Sequence, residues 1–163
     1  MKSQLLLNVA VSVAAAVVVA FVVPQAGAAQ SDPMIGTWKL NVAKSKYNPG
    51  PAPRSLTAVV AASGQGLVAN TEGVNAQGMP TKTTIIIICD GQPHPVTGAP
   101  NVDAMSCRQP DPYTQNFTNM KGGKATTGGT LVVSRDGKTT TISTKGTTAA
   151  GQQIDNVAIY DRQ

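Results

Sequence analysis

The sequence has one glutamate, Glu72, one histidine, His94, and two cysteines, Cys89 and Cys107, in 163 residues. Each scarcity excludes a class of chemistry. A carboxylate pair, a nucleophile with its base, or a metal held by a His/Cys/Asp/Glu cluster all need several such side chains close together. The aspartates are no substitute, because most fall at turn signals such as Asp90-Gly91 and Asp136-Gly137, where Asp is chosen for its backbone conformation. His94, between Pro93 and Pro95, has no acid or thiol partner close in sequence and reads as a loop residue. No catalytic residue and no metal ligand is assigned, no cofactor is expected, and the chain is not expected to be an enzyme.

Aromatic residues are also few, at 4%. Outside the N-terminal leader they are Trp38, Tyr47, Tyr113, Phe117 and Tyr160, too few for the stacking platform that single-stranded nucleic acid requires. Charged residues make up 13% of the chain and the net charge is +5, with the basic residues scattered along the whole length. That distribution describes a solvated surface, and no nucleic-acid partner is expected. Lys44, Lys46 and Arg54 form the most basic local stretch, read as a solvated loop in preference to an anion site.

The N-terminus carries the long hydrophobic run that the rest of the chain lacks. Lys2 is followed by an apolar segment from Leu5 to Val23, then Pro24, then Ala26-Gly27-Ala28 as a small-x-small cleavage site. Residues 1–28 are therefore expected to be a signal peptide with a helical core, and residues 29–163 the exported domain, periplasmic or extracellular. The apolar run is also long enough to serve as a membrane anchor if left uncleaved. In an oxidising compartment Cys89 and Cys107 are expected to form a disulfide, with two free buried thiols as the alternative.

Beyond the leader no helical periodicity of useful length occurs. What is present is a succession of short β-branched runs broken by Gly, Pro, Asn and Asp, with a single helical turn expected over Ala43 to Tyr47. The expected strands are 36–41, 56–61, 67–71, 81–89, 104–108, 113–120, 125–134, 139–145 and 154–160. Asp90-Gly91 and Asp136-Gly137 are hairpin signals. Pro93 to Asn101 reads as a Pro-rich loop, and the Pro-rich stretch ending at Arg54 as an extended loop across one barrel mouth. Four isoleucines in a row, Ile85 to Ile88, require burial or cover on both faces.

Shifting the sequence by 73 residues aligns Thr71-Glu72-Gly73-Val74-Asn75-Ala76-Gln77-Gly78 with Thr144-Lys145-Gly146-Thr147-Thr148-Ala149-Ala150-Gly151, a shared Thr-x-Gly-x-x-Ala-x-Gly pattern. Two strand-turn-strand-turn-strand units of like geometry follow from this, as in a meander that closes on itself. The fold expected is all-β, a single antiparallel up-and-down barrel of about 8–10 strands.

The tripeptide Gly36-Thr37-Trp38 at the head of the first strand resembles the Gly-x-Trp opening of lipocalins and related calycin barrels. The longer string Gly-Thr-Trp-Lys-Leu-Asn-Val-Ala-Lys-Ser-Lys-Tyr, with Pro-Gly-Pro-Ala-Pro-Arg-Ser-Leu-Thr after it, is similar to a group of small secreted bacterial proteins of unknown function. The resemblance implies a lipocalin-like barrel whose strand-one tryptophan, Trp38, plugs one end beneath an arginine near the last strand, Arg162. Alternation puts Trp38 and Leu40 on the inward face. A small apolar or amphipathic ligand is the expected partner, with Tyr113 and Phe117 as ligand-facing residues. A ligand-free structural or interaction protein is the alternative. The domain is expected to be a monomer.

Overall fold

The computed structural model describes residues 32–163; the expected leader lies outside the described residues. Ten strands follow one another: β1 Gly36–Leu40, β2 Ser55–Ser63, β3 Gly66–Val74, β4 Pro80–Ile87, β5 Asp90–Thr97, β6 Ala104–Asp111, β7 Thr114–Lys121, β8 Lys124–Val133, β9 Thr139–Thr147 and β10 Gln153–Arg162. From β2 to β10 each strand pairs antiparallel with the next. β1 lies between β2 and β10 and closes the barrel. Closure removes the exposed sheet edges that such polar, Gly-rich strands would otherwise offer to other chains.

The 73-residue repeat is a repeat of structure. A shift of 73 carries β3 onto β9 from end to end, and the start of β4 onto the start of β10. Both intervening turns close in the same way. Asn75 N–H donates to Met79 O and Gly78 N–H to Asn75 O, at 2.9 and 3.1 Å; Thr148 N–H donates to Gln152 O and Gly151 N–H to Thr148 O, at 2.8 and 2.9 Å. Gly78 and Gly151 have φ of +87° and +80°, the left-handed region that glycine enters without steric cost. The units β2–β4 and β8–β10 are therefore joined directly through β1 on one side and by β5–β7 on the other.

Two sequence expectations are corrected around β5. The segment expected to be a Pro-rich loop is in large part a strand, and Asp90-Gly91 opens that strand where a hairpin turn was expected. Ile88 and Cys89 make the connection, while Gly91, at φ +85°, sits beside a register shift between Asp90 and Pro93. The prolines are tolerated because of the side they face. Val96 N–H donates to Asp103 O at 3.0 Å, toward β6, so alternation aims the nitrogens of Pro93 and Pro95 toward β4. Neither nitrogen carries a hydrogen, and the β4–β5 ladder is confined to Thr84 opposite Thr97 and Ile85 opposite Val96.

The stretch after β1 also departs from expectation. The helical turn is a 3-10 turn at Val42–Lys44, capped by Asn41, whose side-chain oxygen accepts from Lys44 N–H at 3.1 Å. The residues that follow, as far as Asn48, run beside β10. Lys46 and Val157 exchange both backbone hydrogen bonds, and Asp155 N–H donates to Asn48 O. This segment continues the pairing that the five-residue β1 leaves unfinished along the ten-residue β10.

Alternation sends one face of every strand into the barrel. Leu67 and Ala69 of β3, Ile87 of β4, Val133 of β8, and Ala158 and Tyr160 of β10 are buried in one cluster with Met34, Trp38, Leu40 and Cys107. Ile85 and Ile87 point into this interior, and Ile86 and Ile88 are half-buried on the other face.

Candidate functional site

Odd-numbered strands begin, and even-numbered strands finish, at the same end of the barrel. This end is closed around Trp38. Its indole Nε1–H donates to Met34 O at 2.9 Å, which satisfies the one polar atom of a buried ring. The Arg162 guanidinium lies 4.1 Å from the ring centroid. Arg162 also donates to Ile35 O and Pro33 O, both at 2.7 Å, and to Gly137 O. One side chain thus ties the segment before β1, the β8–β9 loop and the last strand to the tryptophan. The two residues named together from the sequence are in direct contact.

The disulfide joins Cys89, in the β4–β5 connection, to Cys107 on β6, with Cα atoms 4.4 Å apart. It lies at the same end, close to where the β4–β5 ladder fails.

Behind Trp38 is a cavity of about 320 Å³. Its wall is built from every second residue of most strands: Leu56, Ala58 and Val60 of β2, Ala69 and Thr71 of β3, Thr83, Ile85 and Ile87 of β4, Met105 of β6, Gln115, Phe117 and Asn119 of β7, Leu131 of β8, and Thr140, Ile142 and Thr144 of β9, with Tyr160, Trp38 and Met34. The small residues make the space. Ala58 and Ala69 stand where a larger aliphatic residue would fill the barrel, and Phe117 lies across from Gly129, its register partner. A Cβ at Gly129 would come 3.1 Å from the Phe117 ring and would run into Ser143 O.

Phe117, expected to face a ligand, is in this wall. Tyr113 is not: it sits in the β6–β7 turn with the Arg135 guanidinium 4.3 Å from its ring centroid. No local pattern in the sequence places an arginine on that face. His94 also differs from its reading as an unpartnered loop residue. It is on β5, with Nε2 3.0 Å from Asp90 Oδ1. The Asp90 carboxyl is held below the usual carboxylate range, first by Gln92 N–H and then by His94. This pair lies outside the cavity wall.

The wall contains no Asp, Glu, Lys, Arg or His. Its one ionisable side chain is Tyr160, whose hydroxyl is pushed up from its ordinary value by burial and, to a lesser degree, by Tyr47. Polar side chains are present, but they differ in how they are satisfied. Asn119 Nδ2 donates to Thr127 Oγ1 at 3.0 Å, and Thr71 Oγ1 donates to Thr83 O at 3.5 Å. Gln115 Nε2 and Thr140 Oγ1 have no protein partner, although these residues are only 4% and 5% exposed. A buried polar group without a partner costs about 1–3 kcal/mol. Neither residue stands out in sequence, because each lies among other polar residues. Strand parity was the available signal, since Gln115 shares a face with Phe117.

A second cavity of about 350 Å³ adjoins the same barrel end, lined by Asp32, the β2–β3 turn at Gly64-Gln65-Gly66, Leu67, Cys89 and Gln109. Ile87 and Gln115 belong to both walls and stand between the two spaces.

No His/Cys/Asp/Glu group suited to a metal ion occurs among the described residues. No family model and no curated protein sequence matches the chain. Among solved structures, the chain is similar to zebrafish ileal bile acid-binding protein complexed with cholic acid. The identity is 12% over 80% of this chain and 99% of that one, with a TM-score of 0.41. The strand order and closure described above establish the fold of this domain independently of that likeness.

Proposed function

We propose that the protein is a non-catalytic carrier that holds one small, mainly apolar ligand inside the barrel. The observation that carries this reading is the cavity of about 320 Å³ whose wall is about two-thirds aliphatic, aromatic or methionine side chains, with uncharged threonine, glutamine and asparagine making up the rest. Small-molecule pockets begin at about 300 Å³ and combine such walls with a few placed polar groups. The wall offers no group able to act as a general base or metal ligand, so its chemistry suits retention and not turnover.

The carrier is exported. The leader at residues 1–28 and the Cys89–Cys107 disulfide support this, since disulfides persist in oxidising compartments. N-terminal sequencing of protein recovered from outside the cytoplasm should read from Ala29; protein still beginning at Met1 would contradict cleavage.

Ligand binding is tested with the neutral fluorophore N-phenyl-1-naphthylamine. It should bind saturably with one site per chain and raise the thermal midpoint as its concentration rises, as expected of a ligand that binds only the folded state. Non-saturating fluorescence with an unchanged midpoint would overturn the reading.

A further inference from the structure

We infer that the ligand enters head-inward and that its head is an uncharged hydrogen-bonding group, a hydroxyl or carbonyl, seated against Gln115 and Thr140 at the barrel end closed by Trp38. This inference rests on the carrier reading and specifies which chemical class the cavity takes.

The two unpartnered groups mark the head position. Gln115 is the second residue of β7 and Thr140 the second residue of β9, so both lie at the end where Met34 and Trp38 close the barrel. Thr140 is the register partner of Tyr160, which brings a third polar side chain into the same layer. Each of Gln115 and Thr140 is more than nine-tenths buried, and each has an atom without a protein partner. Buried polar groups are satisfied in the great majority of cases, and an exception calls for an explanation. A ligand oxygen supplies one: it can accept from the Gln115 amide, and a hydroxyl or carbonyl can complete the Thr140 hydroxyl. Farther along the barrel, Thr71 and Asn119 are already paired with protein groups, so they make no comparable demand.

The absence of charge from the wall sets the ligand's own charge. A carboxylate or ammonium buried here would meet no counter-ion, and burying an unpaired charge is far more costly than burying a neutral dipole. The Arg162 guanidinium does not serve as one, because three backbone carbonyls and the Trp38 ring occupy it. At about 320 Å³ the cavity lies near the lower bound for small-molecule pockets, a size that suits a medium-chain alcohol, ketone or ester.

The test uses the full chain with decan-1-ol, decane and decanoate at pH 8, each displacing N-phenyl-1-naphthylamine, in the parent protein and in Thr140→Val and Gln115→Leu. Both variants should weaken decan-1-ol about tenfold and leave decane unchanged, and decanoate should bind the parent at least tenfold more weakly than decan-1-ol. Ligand-free, both variants should melt no lower than the parent, because each removes a polar atom that lacks a partner. Decan-1-ol binding that is indifferent to both substitutions, or decanoate binding as tight as decan-1-ol, would overturn the head-group assignment while leaving the carrier reading intact. Variants that melt well below the parent would show that the wall already satisfies these groups, and would overturn it too. Failure of all three compounds and of the fluorophore to bind would instead defeat the carrier reading, and this inference with it.

Discussion

Trp38 and Arg162 meet where the first and last strands join, and their roles follow from what each side chain needs. The indole brings a large apolar surface and one N–H, which Met34 O accepts. The guanidinium brings donors that three carbonyls accept and a flat face that lies over the ring. Tyr160 belongs to the same end and carries a pH-dependent consequence. Burial favours its neutral form, so its folded-state value lies above the ordinary 10.0. As pH rises past that value, the unfolded chain releases the phenolic proton while the folded protein retains it, and stability falls by up to about 1.4 kcal/mol for each pH unit. The stabilising effect is fully present below pH 10. Urea unfolding at pH 9, 10 and 11 should show this decline, and Tyr160→Phe should flatten it; an equally steep decline in the variant would assign the effect elsewhere. Raised in the same direction by burial, Tyr47 contributes a part that this substitution leaves in place.

At the scale of the strands, what the sequence revealed depended on whether the signal was local. Asp136-Gly137 could be placed because the loop is closed by near neighbours: Gly137 N–H donates to Ser134 O, and Asp136 accepts from Ser134 Oγ and Lys138 N–H. The matched turns at Asn75–Met79 and Thr148–Gln152 were legible for the same reason. β5 was not, because whether a proline disrupts a strand depends on which neighbour its nitrogen faces, and neither β4 nor β6 is visible in a local window. The seating of Tyr113 beneath Arg135, and the lack of partners for Gln115 and Thr140, likewise depend on strands brought together by closure. The disulfide acts at this scale. It ties the β4–β5 connection to β6 beside the place where the ladder between β4 and β5 is shortest. With the cysteines 18 positions apart in sequence, reduction should lower stability by roughly 3 kcal/mol. Urea unfolding with and without dithiothreitol measures this, and coincident curves would show that the bridge contributes nothing.

For the barrel as a whole, the alternation of small and large residues around the wall determines whether the interior is filled or hollow. A barrel interior widens with strand number, and in this ten-stranded barrel alanine at 58 and 69 and threonine at 71, 83, 140 and 144 stand in the wall where bulkier residues would take up more of the space. The hollow was not legible in the sequence. The same Thr and Ala content read equally well as a packed, ligand-free core, and the size of the gap depends on barrel closure and strand register. The proposed carrier would hold its ligand in this hollow. The most direct measurement is the affinity of N-phenyl-1-naphthylamine for the parent protein and for Ala69→Leu, with Ala58→Leu as a second filling variant in case the first disturbs the fold. Each adds aliphatic volume to the wall without touching the barrel exterior. Each variant should fold with an unchanged or higher thermal midpoint and lose at least tenfold in affinity. Undiminished binding in both folded variants would place the ligand outside the barrel and overturn the proposed site.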